Sequence, residues 1–137
     1  MIKNFKRAVT DEQKSEKTNQ IRTAAEDLFE TEKFSNITIE KIAKKAGTAK
    51  GTVFIYFKTK EEIFLSIAEK EIAKWKKYLI ESIASVRVND KKISVESLCD
   101  ILISSLKNNS FIKLISILDD TLEQNIDSKK AFQFKKF

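Results

Sequence analysis

A chain of 137 residues, with 26 Lys and Arg against 20 Asp and Glu and a net charge of +6, is about one domain long. It has no His, which removes the commonest general base and metal ligand, and its single cysteine, Cys99, excludes an intramolecular disulfide. With no Pro and only two Gly, little interrupts long helices, and the mostly helical apolar spacing predicts an all-α fold. No apolar run reaches the roughly 18–20 residues that a membrane span needs. The charged start, MIKNFKRAV, does not read as a secretory signal. A cytoplasmic protein is therefore expected, with no membrane partner and no cofactor.

Residues 1–17 are polar, with Lys3, Lys6 and Arg7 near the start. A solvated terminus is the better reading; an arm touching DNA is the alternative. The first firm helix is predicted over 11–33, with Ile21, Ala24, Ala25, Leu28 and Phe29 on one face. Next comes the densest signal, TIEKIAKKAGTAKGTVFIYF, residues 38–57. Ile39, Ile42, Ala43 and Ala46 fall at i, i+3, i+4 and i+7. Thr38 suits an N-cap, and Gly47 suits a left-handed helix stop. A second short helix starts near Thr48 or Ala49 and is expected to bury Val53, Phe54 and Phe57. Two short helices around a Gly-containing turn read as helix-turn-helix.

A long helix is predicted over 60–86, capped by Thr59, with Glu61 and Glu62 favourable in its first turn. Phe64, Ala68, Ile72, Trp75, Leu79, Ile83 and Val86 make a sustained apolar seam along it. After a polar connection over 87–93, Ser94 can cap a helix over 95–108. Its expected inner face is Val95, Leu98, Cys99, Leu102 and Leu106. Asn108, Asn109 and Ser110 break it. A further helix over 111–125 would bury Phe111, Leu114, Ile115, Leu118 and Leu122. Another starts after Ser128, with Phe132, Phe134 and Phe137 near the end.

Charge follows the motif. Residues 1–60 hold 13 basic and 8 acidic side chains, a balance of +5; residues 61–137 hold 13 and 12. Residues 41–60 contain six lysines and no acid. Lysine-rich helices are often only soluble, but coincidence with a helix-turn-helix favours a polyanion partner. Lys50, Thr52, Ile55 and Tyr56 suit the exposed face of a helix lying in a DNA major groove, with lysines reaching the flanking phosphates.

GTAKGTVFIYFKTKEEIF, residues 47–64, resembles the recognition segment and fourth-helix start of TetR-type bacterial transcriptional regulators. IRTAAEDLF (21–29) is similar to that family's first helix and TIEKIAKKAG (38–47) to its second. The matching run covers about residues 18–68, and three helices in order make it specific. The chain departs from the family in having Lys33, not Gly, before Phe34, Thr48 and Ala49 in place of an aliphatic residue and Ser, and Phe54 in place of Tyr. The resemblance implies a three-helix DNA-binding head over 11–60, with the motif at 38–57. A long fourth helix would join it to a helical effector-binding and dimerisation body over 61–137. That body is shorter than the family's; a cut, a degraded and a naturally short chain all fit.

The resemblance further implies a repressor that binds a palindromic operator of double-stranded DNA as a homodimer and is released by a small-molecule effector. Lys50, Thr52, Ile55 and Tyr56 are carried over as groove contacts, and Thr38, Thr48 and Lys60 as phosphate contacts. Trp75, Tyr78, Cys99 and Phe111 could line an effector pocket, although plain helix-bundle core is the preferred reading for aromatics at helical spacing. The alternative from another class is a helical protein-interaction module whose lysines only solvate it. Catalysis has little support: Cys99 lacks a His partner, Asp119 and Asp120 point about 100° apart on a helix, and no glycine-rich phosphate loop is present.

Overall fold

A computed structural model describes residues 10–87, 93–107, 112 and 114. Regular structure among the described residues is entirely helical: α1 (Asp11–Thr31), a 3-10 turn (Phe34–Asn36), α2 (Ile39–Lys45), α3 (Lys50–Tyr56), α4 (Lys60–Arg87) and α5 (Val95–Lys107). The chain divides into two compact units between Ile63 and Phe64.

In the first unit, Thr10 opens α1 with a capping box: its hydroxyl accepts from the Gln13 N–H, and the Gln13 side chain accepts from the Thr10 N–H. The expected stripe is realised, with Ile21, Ala24 and Ala25 buried and Leu28 and Phe29 half-buried. Thr38 caps α2 as expected, accepting from the Lys41 N–H. Gly47 closes α2 at φ 62. The Thr48 N–H donates to Ala43 O at 3.0 Å and the Gly47 N–H to Lys44 O at 3.2 Å, the paired bonds of a Schellman turn. An L side chain at Gly47 would be strained there, although nothing lies within 4 Å of where its Cβ would sit. α2 packs on α1 and α3 packs on α2. Ile37, Ile42, Val53 and Ile63 are fully buried with Ile21, each contributing about 1.5–3 kcal/mol as an upper estimate.

Lys33, standing where the family has Gly, needs no left-handed backbone. It is extended at φ −68, ψ 144, and the chain turns instead through the 3-10 segment that Asn36 ends. Phe54 is a second departure. It is 45% exposed rather than buried. Val53 and Phe57 are four apart and share the inward face; one residue on from Val53, the chain has turned about 100° out of the core.

α4 begins as predicted at Thr59, whose hydroxyl accepts from the Glu62 N–H, while the Glu62 carboxylate accepts from the Lys58 N–H at 2.9 Å. In the second unit Phe64, Leu65, Ile67 and Ala68 are buried, and the later seam residues Ile72, Trp75, Leu79, Ile83 and Val86 are half-buried. Ser94 caps α5, accepting from the Ser97 N–H. The expected inner face of α5 is corrected. Val95, Leu98, Cys99, Leu102 and Leu106 are all exposed, and Ser105 is the buried position. The physical reason is a polar bond. The indole Nε1 of Trp75 donates to Ser105 Oγ at 3.0 Å, which turns the Ile101–Ser105 side of α5 inward. Leu114 is buried, as expected. The other expected features of 1–9, 88–92, 108–111 and 115–137, including both later helices, lie outside the described residues.

Candidate nucleic-acid interface

The interface candidate is built on α3. At about 100° per residue, its inward line is Val53 and Phe57, and its outermost crest is Gly51 and Ile55. Ile55 is 77% exposed. The four expected groove residues are all accessible, yet they do not form one row. Lys50 shares a flank with Phe54, while half-buried Thr52 and Tyr56 form the other flank across the crest. The surface is thus a ridge with one cationic, aromatic side and one hydroxyl-bearing side. Gly51 has a clear surround: nothing lies within 4 Å of an added Cβ, so the crest backbone is bare there for reasons other than packing.

The six lysines of 41–60 divide by partner. Lys41 pairs with Glu32 at 2.6 Å and Lys45 with Asp27 at 3.6 Å, so two cations of α2 are matched by acids of α1 and its C-cap. Lys50 pairs with Glu40. Lys44 and Lys58 are exposed and, among the described residues, pair with no acid. Sequence reasoning treated the run as one block and did not single out these two; the acids that sort them lie outside it at 27, 32 and 40.

Lys60 departs from the expected phosphate contact. Its ammonium donates to Phe34 O at 2.9 Å and Ile37 O at 3.0 Å and lies 4.3 Å from the Phe34 ring centroid. It fastens the start of α4 to the turn before α2. Thr38 is exposed with its hydroxyl committed to capping, and Thr48 is half-buried. Ala49, not Thr48, occupies the N-cap of α3 and brings no capping side chain.

Glu40 is the functional candidate that the residue pattern did not reveal. Its carboxyl is held below the ordinary glutamate range, first by the hydrogen bond from Lys50, then by a backbone N–H, with the Lys50 charge and the Thr38 hydroxyl adding to it. The signal available in sequence was directional. Lys50 opens α3, and helical side chains lean toward the N-terminus, which here means toward α2.

Comparison with known proteins gives the segment around α2 and α3 a family likeness. Residues 21–67 match the model of the bacterial regulatory proteins of the tetR family. The match covers about a third of the chain and takes in the helix-turn-helix. The matched segment runs from the start of the α1 stripe into α4, so the family's head is α1 to α3 with the first turns of α4. The chain is 32% identical over 83 residues to the fatty acid metabolism regulator protein of Bacillus subtilis, covering 61% of this chain and 43% of that protein. It is 39% identical over 49 residues to the HTH-type transcriptional regulator EthR of Mycolicibacterium smegmatis, covering 36% and 23% respectively. It therefore spans less than half the length of these curated relatives. The crystal structure of a TetR-family transcriptional regulator from Haemophilus influenzae shares the fold, with a TM-score of 0.53 at 21% identity over 88% of this chain and 71% of that one.

The second unit offers less. Trp75 is half-buried and bonded to Ser105, Tyr78 and Cys99 are exposed, and Phe111 lies outside the described residues. A surface recess of about 760 Å³ lies instead on the head, between α1 and the end of α2, lined by Glu12, Glu16, Asn19 and Asp27 among others; Trp75, Tyr78 and Cys99 do not line it. Among the described residues no group of three or more metal-ligating side chains converges, and no helix is long and apolar enough to cross a membrane.

Proposed function

We propose that this chain carries the DNA-binding part of a transcriptional regulator, followed by residues that serve effector binding and dimerisation. Two copies would grip a palindromic operator, and a small molecule in the body would release them. The division of labour follows the sequence reading, with the head over 11–60 and the body over 61–137. The observation that carries the reading is the α3 ridge within the segment that matches the tetR-family model, flanked in the chain by Lys44 and Lys58, which pair with no acid among the described residues. Lys50 and Phe54 would face base edges on one flank and Thr52 and Tyr56 on the other, while Ile55 at the crest suits a thymine methyl group. Lys44 and Lys58 would contact phosphates, which position the helix without reading sequence. Lys60 drops out of that list because its donors are turned inward.

Dimerisation through the body has its own support: Val95, Leu98, Leu102 and Leu106 recur at helical spacing on α5 and are all exposed. Coupling between effector and operator would need two states of the body with different operator affinities.

Fluorescence anisotropy against a pool of random duplexes, followed by selection of the tightest binders, tests the DNA reading. Binding is expected to weaken steeply with salt, at about 0.9 log units of affinity per log unit of salt for each phosphate contact. Selected duplexes should share a two-fold-symmetric sequence. Affinity equal on every sequence would leave only a sequence-blind polycation and overturn the operator reading.

A further inference from the structure

We infer that Glu40 is a specificity-determining residue: it holds the Lys50 ammonium beside Phe54 and withholds it from sequence-blind contact with phosphate. The inference rests on the proposed DNA-binding role and adds to it the identity of a residue that acts against the wrong partner.

A carboxylate is out of place on a surface meant for a polyanion, because it weakens every encounter with phosphate. Glu40 nevertheless stands in the first turn of α2, where it meets Lys50 from the first turn of α3. Lys50 is held from two sides. Its ammonium donates a hydrogen bond to the Glu40 carboxylate, and the Phe54 ring, four residues on along the same flank, lies 5.7 Å from its nitrogen. Phe54 stands on the outward flank of α3, where the helical turn places it within reach of Lys50. The lysine pairs of α2, Lys41 to Glu32 and Lys45 to Asp27, tie α2 back to α1 and its C-cap, whereas the Lys50 pair joins α2 to the ridge.

A free lysine is a flexible point charge that collapses onto whichever phosphate is nearest, raising affinity for all sequences alike. A lysine held at a fixed place on the flank can meet only what the groove presents there. A guanine edge, with two acceptors at O6 and N7, suits it without rearrangement. Elsewhere the ammonium stays with Glu40, and the carboxylate itself disfavours the complex. Discrimination thus comes partly from a repulsive element, which is how specific interfaces reject competitors.

The test uses the full chain and two probes, a random-sequence duplex and a duplex selected by the wild type from a randomised pool. Glu40→Gln is expected to tighten binding to the random duplex about tenfold and to the selected duplex less than about twofold. The salt slope on the random duplex should steepen by about 0.9, the mark of one added phosphate contact. In a Lys50→Ala background the same substitution should change random-duplex affinity by less than about twofold. A purely structural pair would move the thermal midpoint and leave the salt slope alone. Equal gains with and without Lys50 would mean that bulk charge is responsible, and no gain at all would mean that Lys50 is not withheld; either overturns the inference while leaving DNA binding intact. A wild type that binds neither duplex overturns the regulator reading, and this inference with it.

Discussion

The two units treat their apolar side chains differently. In the first unit Ile21, Ile37, Ile42, Val53 and Ile63 are completely buried, and half-buried Lys60 is bonded to two carbonyls. In the body, α5 keeps Val95, Leu98, Leu102, Ile103 and Leu106 exposed and buries a serine. The seven-residue α2 and α3 stabilise themselves poorly alone, so they hold their form only by tertiary packing. The 13-residue α5 has one polar anchor and leaves its apolar side exposed. Packing thus sets α2, α3 and the start of α4, where Phe64, Ile67 and Ala68 are buried, whereas a hydrogen bond sets the face of α5.

The sharpest way to break this contrast is a pair of truncations. Ile42→Ala should cost about 2–5 kcal/mol and abolish the cooperative melt of the head, whereas Leu102→Ala should stay within about 0.5 kcal/mol. Thermal unfolding followed by circular dichroism reads both, and equal losses would erase the distinction. Lys60→Met should come next. It removes the ammonium bonds to the Phe34 and Ile37 carbonyls, the first of which keeps the Ile37 N–H, and should cost about 1–3 kcal/mol, with little change in the salt slope of DNA binding because the ammonium is not free to reach phosphate. A slope that falls by about 0.9 would return Lys60 to the phosphate contacts.

Gly51→Ala should act oppositely on fold and function. With no neighbour within 4 Å and no positive φ to protect, the head gains roughly 0.5–1 kcal/mol. DNA affinity should fall if the bare crest is where the groove approaches closest. The smallest effect concerns Glu40. Its carboxyl titrates below the ordinary glutamate value of 4.5, so the folded state favours the charged form. That contribution is present above the ordinary glutamate range and fades as pH falls through the lowered midpoint. Carbon-detected NMR of the Glu40 carboxyl should show a midpoint below 4.5 that rises on Lys50→Ala; an unmoved midpoint would remove Lys50 as its main cause.

Much of the head was readable from residues alone, because caps and stops are local chemistry. Thr38, Gly47, Thr59 and Ser94 each act where their side chain, or the lack of one, predicts. What escaped was pairing across distance. Lys60 reaches back 23 and 26 residues to two carbonyls, Glu40 reaches forward ten to Lys50, and Trp75 reaches forward 30 to Ser105. Helical periodicity finds which residues share a face, not which face the neighbour takes. It therefore placed the α1 stripe correctly and the α5 face wrongly, and it read Phe54 as core although one residue on from Val53 the helix has turned outward.

The elbow between α2 and α3 is closed by two main-chain bonds and one glycine, with no side chain from the ridge taking part. Exchanging Thr52, Ile55 or Tyr56 leaves that joint untouched, whereas Lys50 also ties α2 to α3 through Glu40. Under the proposed DNA-binding role, three positions of the ridge are thus open to new targets without a rebuilt frame.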